Sequence, residues 1–253
     1  MALIQITFNS VLLKRLVNFH VCLPDDRRPE ALKTVFLLHD YGESCWSWLT
    51  GADLQGLADR FGAALLLPND ENHFYVNAVR RGDSFTDHIG RELPGFCRRV
   101  FPFSTQAEDT VIAGLRVGGY GALRIGLEFP ETFGHVLAAD PALVLDTLSE
   151  KTEEPDCYGL TARDYQSIFG DPARAAGGEN DPLRCAAALR AWQRPLPALT
   201  VGCGPYCAAR SGVDAFCRGL RAMSIPFTRV DRGNGTRQAL LDLLGITLAQ
   251  RGW

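Results

Sequence analysis

The sequence predicts an α/β protein with a doubly wound, mostly parallel sheet. Three observations carry this expectation. Short apolar runs at 34–39 (T-V-F-L-L-H), Ala63–Leu67 and His135–Ala139 have the composition of strands buried on both faces. Helical stretches separate these runs, the alternation that a parallel sheet needs for its crossovers. A glycine-flanked turn, G-L-R-V-G from Gly114 to Gly118, joins a strand directly to a helix.

Taken in order, residues 3–8 and 16–23 alternate as two strands of a hairpin, with the turn beginning at Asn9 and Ser10. Strand 34–39 follows, then a helical stretch over 48–61, and the strand Ala63–Leu67 closed by Pro68 and Asn69. Residues 85–100 read as an amphipathic helix. The strand at 110–113 leads through the glycine turn into a helix over 119–129, which Pro130 stops. After His135–Ala139, the stretch 141–195 breaks the rhythm. It is rich in Pro, Gly, Asp and Glu, with short helices near 161–169 and 183–192. It reads as a cap-like insertion over the carboxyl ends of the strands within one domain spanning 1–253, where such sheets place their sites. Strands at 199–202 and Phe227–Val230 flank a helix over 209–223.

The 253 residues are 46% hydrophobic and 22% charged, enough for one sizeable core. A net charge of -3 gives no reason to expect nucleic acid or an anionic membrane as partner. No apolar run approaches the ~20 residues of a membrane span. The N-terminal residues alternate like a strand and lack the features of a secretory signal, so the cytoplasm is the default expectation. The eight cysteines are scattered, with no C-x-x-C, and there are five histidines. That pattern argues against a metal site and for reduced cysteines acting as small hydrophobes. Cys203 and Cys207 are four apart in a Gly-Pro loop, where a disulfide or redox sensing is the alternative.

The segment 109–122 has the shape of a nucleophile elbow, normally G-x-S-x-G, in which small residues permit a strained, crowded turn. Here the central position is Arg116. A guanidinium stays protonated and cannot attack a carbonyl. With this block, the chain also carries Phe36-Leu-Leu-His39 followed by Trp46 and Trp48, Leu67-Pro-Asn69, Glu92-Leu-Pro94, Phe101-Pro102, Ile168-Phe-Gly-Asp171, Asn180-Asp181 and Cys203-Gly204. In this order they resemble the esterase D, tributyrin esterase and S-formylglutathione hydrolase group. The resemblance implies an α/β-hydrolase fold, descent from a hydrolase of small acyl esters with a Ser-His-Asp triad, no cofactor, and self-association as a homo-oligomer.

Against that family pattern all three triad positions depart. The nucleophile position holds Arg116. The acid position, expected in a C-G-x-x-D context, carries Cys207, and the histidine position falls near Gly235. No histidine follows His135. A nucleophilic serine needs a base within hydrogen-bond reach, and the base needs an orienting carboxylate. Losing one member costs on the order of 10⁴ to 10⁶ in rate, and further losses are not additive.

Two acids stand where the family has other residues. Asp40 replaces a glycine of the oxyanion loop, and Asp140, followed by Pro141, replaces a serine. Both are expected at the carboxyl edge of the sheet with Arg116. Pairing of Arg116 with Asp140, Asp40 or both would plug the cleft, because an unpaired guanidinium there is costly to desolvate. A free Arg116 at the helix N-terminus would instead make an anion site. The expected cleft residues are Arg116, Val117, His39, Asp40, Tyr41, Trp46 and Asp140. His39 reads as a loop anchor, and Cys45 as a weak candidate for a cysteine–histidine pair with it. Trp46, Trp48, Phe74 and Tyr75 read as packing under loops, and the pairs at 80–81 and 98–99 as solvated arginines. The functional expectation is a catalytically silent esterase relative that binds a small acyl or anionic ligand or a protein. The alternative is a weak or altered carboxylesterase or acyl-transfer enzyme. A structural partner of an active paralogue is a third reading.

Overall fold

Eight strands form one sheet in this computed structural model, which describes residues 2–25, 31–69, 71–77, 84–231 and 235–253. They are β1 (Ala2–Ser10), β2 (Arg15–Leu23), β3 (Lys33–Leu38), β4 (Ala63–Leu67), β5 (Thr110–Leu115), β6 (His135–Ala139), β7 (Ala198–Gly202) and β8 (Phe227–Val230). The order is β1-β2-β4-β3-β5-β6-β7-β8. The β1–β2 and β2–β4 pairs are antiparallel, and every later pair is parallel. The sheet is therefore mostly parallel, as its apolar runs predict.

Side chains of the central strands alternate between two cores. Phe36 and Leu38 of β3 join one apolar cluster with Ile112 and Val136, while Val35 and Leu37 join the other with Ala113 and Leu137. Helix α1 (Leu54–Phe61) and helix α8 (Arg237–Gln250) cover the second cluster through Leu54, Leu57, Leu241 and Leu244. The first is covered by α3 (Leu93–Val100), α4 (Val117–Glu128), α5 (Ala162–Phe169), α6 (Pro182–Ala191) and α7 (Arg210–Ala222), with α2 (Phe85–Asp87) preceding α3. Burying each such leucine contributes about 1.5–3 kcal/mol, which is why both faces must be covered.

Several elements differ from the sequence expectation. The stretch 48–61 is not one helix. A 3-10 turn, Cys45–Leu49, ends before Gly51 at φ 74, and Asp53 then caps α1 by accepting the Gly56 N–H. A left-handed glycine followed by a capping aspartate restarts the helix in a new direction. The run 85–100 is helical throughout, but a π turn, His88–Glu92, separates α2 from α3. Pro94 is the cause: it has no N–H for the Gly90 carbonyl, and its ring crowds that carbonyl. The Thr132 hydroxyl donates to Gly90 O instead, at 3.0 Å. Helix α8 has no counterpart in the sequence reading. Its signal was present, with Thr236 as N-cap and leucines at 240, 241, 244 and 248.

Arg98 also departs from the solvated face expected of it. It is half-buried and donates to Ser104 O at 3.1 Å and Thr110 Oγ1 at 3.3 Å, tying α3 to the start of β5. The arginines at 80 and 81 lie outside the described residues. Among the described residues, no helix is long and apolar enough to cross a membrane.

Candidate functional site

The centre of the sheet ends in a backbone turn that only small neighbours permit. Arg116, between β5 and α4, has φ 51 and ψ -109, a sparsely populated conformation for a residue with a side chain. Its N–H donates to Ala139 O, and its carbonyl accepts from Tyr120 and Ala142, each at 2.9 Å. A Cβ at Gly118 would strike the Leu38 and His39 carbonyls, and one at Gly114 would strike the Gly118 backbone. The glycines are thus demanded by the approach of α4 to β3, and they lift the residue-116 side chain above the sheet edge.

The Arg116 guanidinium pairs with Asp40, Nη1 to Oδ2 at 3.2 Å. The Arg116 side chain is 49% exposed and that of Asp40 11%. The other Asp40 oxygen, Oδ1, accepts two backbone N–H groups, from Tyr41 at 2.8 Å and from Val117 at 3.2 Å. Burial pushes the Asp40 carboxyl above its ordinary value, opposed by these two N–H groups and by Arg116. A second pair backs the loop. Asp40 N–H donates to Glu43 Oε2 at 3.3 Å, and Glu43 pairs with Arg237 at the start of α8.

Of the two acids expected beside Arg116, Asp40 makes the ion pair among the described residues. Asp140 turns elsewhere, with Oδ1 accepting the Gly204 N–H at 2.6 Å. Its own N–H is tied to Gly202 O at 2.9 Å, with φ at 46. Gly235 (φ 70) faces both groups. A Cβ built there lies 3.6 Å from Arg116 Nη2 and 3.8 Å from Asp140 Oδ2. Positions 116, 140 and 235 therefore converge at one point above the sheet edge. Cys207 is buried beside Cys203 and Asp140. Residues 232–234, next to Gly235, lie outside the described residues.

His39 is buried, and its Nδ1 donates to Asp40 O at 2.8 Å while its own carbonyl accepts the Tyr75 hydroxyl at 2.9 Å. These contacts fix the loop that carries Asp40. Cys45 is fully buried, and burial pushes its thiol up to about 11, which withholds the thiolate a nucleophile needs. Phe74 and Tyr75 are core residues, Phe74 packing edge-on against Tyr120, Tyr165 and Phe169. Trp48 is buried as well, while Trp46 is half-exposed and stands edge-on against His20 of β2. Sequence reasoning passed over Tyr158. It is partly buried, and burial makes its hydroxyl harder to ionise, reinforced by Cys157, Cys207 and Asp40 and opposed by Arg116.

A mostly parallel eight-stranded sheet, covered on both faces and ending in a strained strand–helix turn beside two converging N–H groups, is an α/β-hydrolase fold. A fluorophosphonate-binding serine hydrolase of Staphylococcus aureus shares it with a TM-score of 0.84 at 22% identity, over 99% of this chain and 98% of that one. A family profile described as "Putative esterase" matches residues 10–194, and the chain belongs to this esterase family. It is 32% identical to an acetyl esterase of Caldicellulosiruptor saccharolyticus over 213 residues, 81% of this chain and 80% of that protein. It is 27% identical over 146 residues to an S-formylglutathione hydrolase of Paracoccus denitrificans, 49% of this chain and 52% of that one.

Proposed function

We propose that this esterase-family chain has lost serine-triad hydrolysis and serves as a binding protein, its cleft taking a small acyl or anionic ligand. One observation carries the reading: Asp40 Oδ1 accepts from both Tyr41 N–H and Val117 N–H. In an α/β-hydrolase the N–H after the nucleophile and one from the loop after the third strand hold the developing oxyanion. Here an internal carboxylate already engages the corresponding pair. Its second oxygen holds Arg116, which stands at the nucleophile position and has no electron pair to offer a carbonyl. The sequence supports the same reading, since no histidine follows His135 and Gly235 contributes no base.

Ligand binding then means exchange. An incoming carboxylate or similar anion takes over the two N–H groups and the half-exposed guanidinium, and Asp40 swings aside. The acyl part of the ligand class rests on the acetyl esterase relative.

The test is hydrolysis of p-nitrophenyl acetate and butyrate by the wild-type protein and by Arg116→Gln. Turnover at the buffer background in both is the expected result. Clear turnover in wild type that falls in Arg116→Gln would overturn the reading in favour of an altered carboxylesterase that uses the arginine.

A further inference from the structure

Opposite the Arg116–Asp40 pair, the same sheet edge carries a cluster that the proposed binding role does not use. Asp140 follows β6 and Cys203 follows β7. The Cys203 N–H donates to Val230 O at 2.9 Å, and the turn beyond it closes through Cys207 N–H to Gly204 O at 3.2 Å. That turn folds the chain back so that Cys207 returns to Cys203. One carboxylate oxygen of Asp140 and the two Sγ atoms lie within 4.8 Å of one another, and all three residues are buried.

We propose that Asp140, Cys203 and Cys207 bind a thiophilic divalent cation of the zinc class. Zinc holds sulfur at about 2.3 Å and carboxylate oxygen at about 2.0–2.2 Å in a tetrahedron, so its donors stand roughly 3.4–3.8 Å apart. Contraction of the cluster by about an ångström meets that geometry. The carboxylate is already oriented, because Asp140 Oδ1 accepts the Gly204 N–H, the kind of outer contact that fixes a metal ligand. Asp140 also departs from ordinary backbone geometry, at φ 46, in the place that presents it to the two thiols.

Charge is consistent with this assignment. Two thiolates and a carboxylate carry three negative charges, a divalent cation leaves one, and Arg210, which donates to Gly204 O at 2.6 Å within the same turn, stands beside it to balance the charge. Loading is a proton exchange: the cation bonds to both sulfurs, and the two thiol protons leave to solvent. No electrons move. Three protein donors leave a fourth coordination position, as in open zinc sites. The assignment is independent of the silent-esterase reading, since it concerns groups other than the Arg116–Asp40 pair.

The experiment uses the intact protein, freed of metal and kept reduced, and titrated with Co²⁺. The expected result is one Co²⁺ per chain with thiolate-to-cobalt charge-transfer absorption, displaced by Zn²⁺. Cys203→Ser, Cys207→Ser and Asp140→Asn should each weaken binding about tenfold or more. Cys157→Ser, at the exposed cysteine, should bind as wild type does. Asp140→Asn keeps an acceptor for the Gly204 N–H, so it tests the charge while preserving the turn. Metal-free thermal unfolding of each variant identifies any that fail to fold. Absorption and stoichiometry unchanged in folded Cys203→Ser and Cys207→Ser would overturn the proposal. So would a Cys203–Cys207 disulfide in protein isolated without reductant.

Discussion

Asp40 and Val117 face each other as carboxylate oxygen and backbone N–H, 3.2 Å apart, across the edge where β3 and α4 meet. The contact exists because Gly118 has no Cβ to hold α4 away from the Leu38 and His39 carbonyls. The glycine that makes the turn tight also brings the Val117 N–H within reach of the Asp40 side chain. Backbone strain at Arg116 and charge pairing at Asp40 are thus parts of one arrangement.

Freeing the two N–H groups should favour an external anion. Asp40→Gly removes the internal carboxylate and leaves Arg116 unpaired, so acetate should bind about tenfold tighter than to wild type, with one ion pair's worth of competition removed. Isothermal titration measures the ratio. Equal affinities in the two proteins would mean that Asp40 does not compete for the ligand's place.

The pH dependence of stability should carry the mark of Asp40. Burial raises its carboxyl in the folded chain, so the folded state holds this proton more tightly than the unfolded state does. Its contribution to stability is greatest in acid and declines as the pH rises from the ordinary aspartate range through the folded-state value. Urea denaturation of wild type and Asp40→Asn across that range should give a difference of this sign. A difference that grows in favour of wild type with rising pH would show that the N–H groups and Arg116 outweigh burial.

Restoring a hydroxyl at the elbow should not restore hydrolysis. Arg116→Ser should leave p-nitrophenyl acetate turnover at background, because a serine without a base in reach remains protonated. His39 is committed to the Asp40 carbonyl through Nδ1 and is buried. Measured turnover above background in this single variant would reveal a base that the geometry does not identify.

A second cluster of triad residue types serves the fold. Ser10 Oγ and His88 Nδ1 both donate to the same Glu92 oxygen, Oε2, at 2.5 and 2.6 Å, and Glu92 Oε1 accepts the Val11 N–H at 2.6 Å. Ser10 Oγ and His88 Nδ1 also lie 3.3 Å apart, but with both protons directed to Glu92 neither passes from hydroxyl to imidazole, and Ser10 is wholly buried. The cluster anchors the β1–β2 turn to the π turn before α3. Burial alone would raise Glu92, but the hydrogen bonds from Ser10, His88 and Val11 outweigh it and hold the carboxyl below its ordinary value. Its stabilisation is present above the ordinary glutamate range and is lost as the pH falls through the folded-state value. Glu92→Gln should cost about 1–3 kcal/mol in urea denaturation at neutral pH. A loss below a few tenths would show that the turn holds without it.

The sequence by itself determined the strands of the parallel core and the strand–glycine–helix turn. These are local matters: a short apolar run has few alternatives to a doubly buried strand, and glycine spacing around Arg116 reports the crowding of its own turn. It also placed Arg116, Asp40 and Asp140 at one sheet edge, since each follows a strand that runs in the same direction. Only the tertiary structure decided which acid meets the arginine. Asp140 is drawn toward β7 by Gly202 O and Gly204 N–H, while Asp40 is turned toward α4 by Tyr41 and Val117. Those partners are distant in sequence or depend on a backbone dihedral, and residue identity encodes neither. The same holds for Asp140 beside Cys203 and Cys207. Spacing along the chain shows two cysteines in a turn, and the carboxylate arrives from the neighbouring strand.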